Sequence, residues 1–205
     1  MGVAPSPGAG CGYRRPVLLL VRHGQTEANA RGLLLGRADP PLSELGRRQA
    51  AALATRVPED ARLIASPLLR TMETARAFGR PVEADERWIE LDYGSFDGRS
   101  VAEVPADVWK AWRTDPHYVP GGGESLATLG LRVREACEEL LEEARSRDVI
   151  IVSHVSPIKA ALAWALSVGD EVTWHLFVRV ASIARVVIGP WGPTLHAFNE
   201  VVDVS

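Results

Sequence analysis

The chain has 205 residues, 46% hydrophobic and 24% charged, with a formal net charge of −3. That length fits one domain, or one domain with a small cap. The composition excludes a collagen, a coiled coil, a disulfide scaffold and a wholly disordered chain, and no global basic field points to nucleic acid or an anionic membrane. Cys11 and Cys137 show no zinc-ligand spacing and no disulfide between them is expected, which favours a reducing compartment. No apolar run approaches the ~18 residues of a membrane span. The run at 17–21 is too short for a secretion signal and stops at Arg22, so a cytoplasmic location is the default expectation.

In chain order, residues 1–13 are rich in Gly, Ala and Pro and read as a flexible leader, with one domain over 14–205. Residues 17–21 form a continuous apolar run, as a buried parallel strand does, and lead into Arg22-His23-Gly24. Residues 29–42 read as a Gly/Pro loop. Ser43 is placed to cap a helix running to about Val57. Residues 62–65 read as a short strand, and Ser66-Pro67 as the cap and first position of a helix to about Phe78. The segment 80–99 is turn-rich and carries Glu90. Residues 100–125, with Trp109, Trp112, His117 and Tyr118, read as a small excursion and candidate lid. Ser125 to about Arg145 is the longest helical pattern. Residues 149–152 are a second buried-strand run, ending in Ser153-His154. Ser156-Pro157 repeats the cap-and-proline helix start, with the helix running to about Leu166. Residues 183–188 and 194–201, joined by a Gly/Pro turn, predict an antiparallel hairpin at a sheet edge. The alternation predicts a three-layer α/β/α sandwich with a mostly parallel central sheet, an antiparallel edge and a short lid excursion.

In an open α/β sheet, ligands bind beyond the carboxyl ends of the strands. Both apolar strand runs end there in a histidine, His23 and His154. Arg22 beside His23 suits phosphate oxygens, and Gly24 would admit close approach of a bound anion. Arg70, on the first turn of its helix, either projects toward the same face or makes a surface ion pair. Glu90, between Ile89 and Leu91, either holds a proton for a leaving group or serves as a cap or surface carboxylate. Together these groups supply the parts of phosphoryl transfer: an imidazole nucleophile, cations for the phosphoryl oxygens and an acid for the departing alcohol, with no metal required.

The run Arg22-His23-Gly24-Gln25-Thr26-Glu27-Ala28-Asn29 resembles the histidine phosphatase superfamily, which includes cofactor-dependent phosphoglycerate mutases. Further resemblances follow in order at residues 39–46, 66–75, 90–98, 122–125 and 152–154, so that the likeness spans roughly 17–188. The resemblance implies that His23 is phosphorylated, that Arg22, Arg70 and His154 form the phosphate pocket with help from Asn29, and that Glu90 is the general acid and then the base. Gln25, Thr26, Glu124 and Ser125 are candidate substrate contacts, the alternatives being that Thr26 caps or braces its loop and that Ser125 caps the long helix. The short excursion and the Gly-Gly-Glu-Ser stretch look more like the phosphatase branches, including alpha-ribazole phosphatase and broad-specificity enzymes, than like a mutase. The expectation is a metal-independent phosphomonoesterase without a cofactor, acting on a small phosphorylated metabolite. A phosphoglycerate mutase and a phosphate-binding regulatory module are the alternatives. A homodimer is reasonable for this family. Trp109 and Trp112 either line an apolar entrance or pack the excursion onto the body.

Overall fold

The computed structural model describes residues 16–202 and 204; the leader expected at 1–13, with Cys11, lies outside them. The apolar runs form strands β1 (Leu18–Arg22), β2 (Arg62–Ala65), β3 (Glu83–Ala84), β4 (Val149–Ser153), β5 (Ser182–Gly189) and β6 (Gly192–Val201). They make one sheet in the order β3-β2-β4-β1-β5-β6. The first four are mutually parallel. β5 runs antiparallel to β1, and β6 antiparallel to β5, as the hairpin pattern predicts.

Helices flank the sheet: α1 (Glu27–Ala30), α2 (Glu44–Ala54), α3 (Leu69–Arg76), α4 (Ala106–Thr114), α5 (Leu126–Leu140) and α6 (Val155–Leu166). Successive strand residues point to opposite faces, and two cores result. Leu18, Leu20, Val149 and Ile151 pack with Leu129, Val133 and Cys137 of α5 and with Ile158 and Leu162 of α6. Leu19, Val21, Ile150 and Val152 pack with Leu53 of α2 and Ala75 of α3. The architecture is the expected three-layer sandwich. Among the described residues no helix is long and apolar enough to cross a membrane.

Two helix starts differ from the sequence expectation. The Ser66 N–H still donates to the Val152 carbonyl (3.0 Å), so Ser66 continues the sheet ladder and cannot open a helix. α3 begins at Leu69, with Leu68 in the cap position. Ser156 is likewise inside α6, which starts at Val155 because a carboxylate from another loop accepts its first N–H groups. Strand β3 was not expected: its two residues are exposed and carry no apolar pattern. The loop expected from 29 begins with the last turn of α1, and the long helix ends at Leu140, before a separate turn at Glu143–Arg145.

The excursion after Glu90 is packed onto the body. Trp112 is buried and stacks on Trp109, with ring centroids 5.2 Å apart and planes 10° from parallel. Trp174 meets both rings edge-on at 6.2 and 5.6 Å. Arg113 covers the other partner, its guanidinium 5.5 Å from the Trp174 ring.

Candidate active site

The site forms where β1 and β4 end side by side. Arg22 is in register with Ser153, and the His23 N–H donates to the Ser153 carbonyl at 3.1 Å. This brings the His23 and His154 rings edge to face, with centroids 5.1 Å apart. His23 Nδ1 lies 2.7 Å from its neighbour's carbonyl, Gly24 O. A carbonyl can only accept, so Nδ1 donates and Nε2 keeps a lone pair. Burial holds the His23 pKa well below its ordinary value, and the Arg70 and Arg22 charges push the same way, so the imidazole is neutral.

Arg70 is fully buried at the start of α3. Its guanidinium donates to Ala38 O and Gly36 O at 2.8 Å each, and its Nε donates to His154 Nδ1 at 3.2 Å. The proton of His154 therefore sits on Nε2, which donates to Ser66 Oγ at 2.8 Å. Burial, then Arg70, depress the His154 pKa well below the ordinary range. Of the two readings of Arg70, the structure has the inward one: its guanidinium lies in the strand-end cluster, with Asp39 no nearer than 3.9 Å.

Glu90 is 3% exposed. Its Oε1 accepts from the backbone N–H of Leu91 (2.7 Å) and of Ser156 (3.2 Å), and its Oε2 from that of Val155 (3.1 Å). The carboxyl caps the start of α6 and also lines the cavity described next.

A cavity of about 200 Å3 opens over this cluster, lined by Arg22, His23, Asn29, Glu90, Tyr93 and Val155 among others. Arg22 donates to Val178 O at 2.6 Å, while its buried Nε has no acceptor among the described residues. Burial lowers its pKa to about 10, opposed by Glu90. A guanidinium N–H left without a partner beside a cavity is suited to an incoming anion. Asn29 Oδ1 accepts from the Thr26 N–H (3.1 Å), which leaves the amide nitrogen of Asn29 for the cavity. A larger groove of about 550 Å3, between Gln49, Arg179 and Val202, brings together none of these reactive groups.

Four candidate contacts do not reach the cavity wall. Thr26 is buried as the N-cap of α1, in a reciprocal capping box with Asn29. Gln25 turns toward α2, its Oε1 accepting from Ser43 Oγ at 3.1 Å. Ser125 caps α5. Glu124 is held by Arg132 (2.8 Å) and Arg37 (3.4 Å). Its N–H donates to Asp92 O at 2.9 Å, and Arg132 donates to Arg87 O at 2.5 Å, so this pair braces the loop that carries Glu90. Gly24 has a structural contact as well. A Cβ there would lie 2.4 Å from Gly46 O, so its smallness admits the backbone of α2.

The sequence reading missed Ser66 as the partner of His154 Nε2, having taken it for a cap. It also passed over Lys159, the lone charge in the otherwise apolar helix α6, whose Nζ donates to Thr173 O. Among the described residues no group of three or more His, Cys, Asp or Glu is arranged to hold a metal ion.

The family model described as the histidine phosphatase superfamily (branch 1) matches residues 18–201. Among curated relatives, the bifunctional protein Rv2228c of Mycobacterium tuberculosis is 36% identical over 177 residues, 82% of this chain and 49% of its own length. The chain thus spans about half the length of such relatives. Phosphoserine phosphatase 1 of Hydrogenobacter thermophilus is 37% identical over 180 residues, 82% of this chain and 85% of its own. Among solved structures, the mycobacterial glucosyl-3-phosphoglycerate phosphatase Rv2419c, in complex with VO3, superposes with a TM-score of 0.80 at 30% identity, covering 90% of this chain and 99% of that one. With Arg22, His23, Asn29 and Glu90 gathered at one strand-end cavity and the family match running through nearly the whole sheet, the chain belongs to the histidine phosphatase superfamily, branch 1.

Proposed function

We propose that this protein is a phosphomonoesterase that hydrolyses a small phosphorylated metabolite through a phosphohistidine at His23. The observation that carries this reading is the His23 ring itself: neutral, with Nδ1 pinned to Gly24 O and Nε2 left with its lone pair at a cavity that Arg22 also lines. In the first step the Nε2 lone pair attacks phosphorus and the bond from phosphorus to the ester oxygen breaks. Glu90 gives its proton to that oxygen, and the alcohol leaves. In the second step water attacks the phosphohistidine, Glu90 takes the proton of the water, the nitrogen–phosphorus bond breaks, and inorganic phosphate is released. Arg22, Arg70 and His154, with the amide of Asn29, offset charge on the phosphoryl oxygens. The relatives named for phosphoserine and glucosyl-3-phosphoglycerate support a phosphatase. A mutase, which must keep water from its intermediate, has less support, because the excursion after Glu90 holds one nine-residue helix.

The test is phosphate release from a panel of phosphomonoesters, with EDTA present, for wild type and His23→Ala. Wild type is expected to release phosphate, and the variant to lose on the order of 10^4-fold in kcat. Undiminished turnover by a purified variant would sink the reading, and loss of wild-type activity in EDTA would sink its metal independence.

A further inference from the structure

Beside the reactive cavity lies a smaller one of about 90 Å3. Leu34, Tyr93 and Val155 line both, so the two share a wall. The smaller chamber is otherwise bounded by the Trp109, Trp112 and Trp174 cluster and by Lys159 of α6. Its surroundings are apolar, yet they carry hydrogen-bond donors in excess. Lys159 Nζ donates to Thr173 O at 2.9 Å, and the other two hydrogens of an ammonium have no acceptor among the described residues. Trp112 is 3% exposed, and its indole N–H also has no acceptor among the described residues. The Tyr93 hydroxyl has Ser156 Oγ at 3.4 Å. Buried donors left in this state are rare in a native fold and call for an acceptor from outside.

We propose that this chamber receives a carboxylate on the alcohol part of the substrate, paired with Lys159, so that the preferred substrates are phosphate monoesters of small hydroxy acids. The assignment rests on His23 being the phosphoryl acceptor, which fixes where the ester's other end lies. Three observations favour a carboxylate. The donor set is cationic and neutral N–H, which asks for an anionic acceptor. The chamber is small and walled by flat indole rings, which suits a planar two-oxygen group better than a second, tetrahedral phosphate. The nearby Glu90 is already held by the N–H groups of Val155 and Ser156, so it does not neutralise the ammonium by direct contact. Burial lowers the Lys159 pKa, opposed by the Glu90 charge and aided by that of Arg22, and an incoming anion would offset the burial.

The test compares 3-phosphoglycerate with glycerol 3-phosphate, a pair that differs by a carboxylate against a hydroxymethyl group. Wild type is expected to favour the acid in kcat/KM. Lys159→Met, which keeps the apolar stem, is expected to cut the ratio of the two kcat/KM values on the order of 10–100-fold, mostly through KM. Trp112→Phe, which keeps a ring and removes the N–H, is expected to move the ratio the same way by a smaller factor, and it serves if the lysine variant fails to fold. A wild type that treats both esters alike, or a ratio unmoved in both variants, overturns the proposal. The same pair is titrated calorimetrically into His23→Ala protein with and without Lys159→Met. If no ester of any kind is turned over, the hydrolase reading fails. A Lys159-dependent binding preference then still upholds the carboxylate chamber, and its absence overturns it.

Discussion

Hydrogen-bond direction fixes the tautomers of two rings here: Gly24 O places the His23 proton on Nδ1, and Arg70 Nε places that of His154 on Nε2. Glu90 is under a different constraint, since three backbone N–H groups converge on its two oxygens. Glu90→Gln can neither accept from all three nor deliver a carboxyl proton. Its kcat is expected to fall about 10^2–10^4-fold on alkyl phosphates and much less on an aryl phosphate, whose phenolate leaves without help. Steady-state kinetics on one ester of each kind check this, and equal losses on both would contradict the acid role. The residues clustered at the strand ends were readable from sequence because each sits in a local pattern, His23 and His154 at the ends of apolar runs and Glu90 in a short acidic loop. Ser66 and Lys159 were not, because their partners lie 88 and 14 positions away and depend on the folded arrangement.

Between elements, one contact that positions the site is glycine on glycine. The strand-end loop at Gly24 and the first turn of α2 at Gly46 meet backbone to backbone. A Cβ on Gly46 would stand 2.0 Å from Gln25 O, and neither side offers a flexible atom to yield. Gly46→Ala is therefore expected to destabilise by about 2–3 kcal/mol and to displace the His23 loop. The readouts are a lower urea midpoint at unchanged m together with lost activity. A normal midpoint would show that the two segments can part without cost. Ser43 strengthens the same junction, capping α2 through Gly46 N–H while donating to Gln25 O. Its cap was legible because the signal is local. The α3 and α6 starts were misplaced because a sheet hydrogen bond at Ser66 and a distant carboxylate at Glu90 override the local serine-proline signal.

For the molecule as a whole, two buried neutral histidines couple stability to pH. The folded pKa of each lies well below the ordinary 6.5 that the unfolded chain recovers. Between those values the unfolded state binds more protons, so stability is full above about pH 6.5 and falls as pH drops through that window, by up to about 1.4 kcal/mol per pH unit for each ring. Urea midpoints are expected to decline from pH 6.5 to 5.5 and to show no such slope from 6.5 to 7.5; a flat profile through the acid window would mean that the rings are protonated in the folded state. The layers were legible in sequence from the alternation of apolar runs and amphipathic helices. The strand order was not, because periodicity reports which face is buried and says nothing of which strand lies alongside. That order has a consequence for biosynthesis. β1 and β2 are made early but never touch each other in the sheet, for β4 lies between them. Val17 finds its partner, Asp148, only 131 positions later. On a ribosome adding about 5–20 residues per second, that is roughly 7–26 s. Through that interval the apolar residues Leu18–Val21 lack their central neighbour, so the nascent chain carries an unpaired apolar strand until the fourth strand emerges.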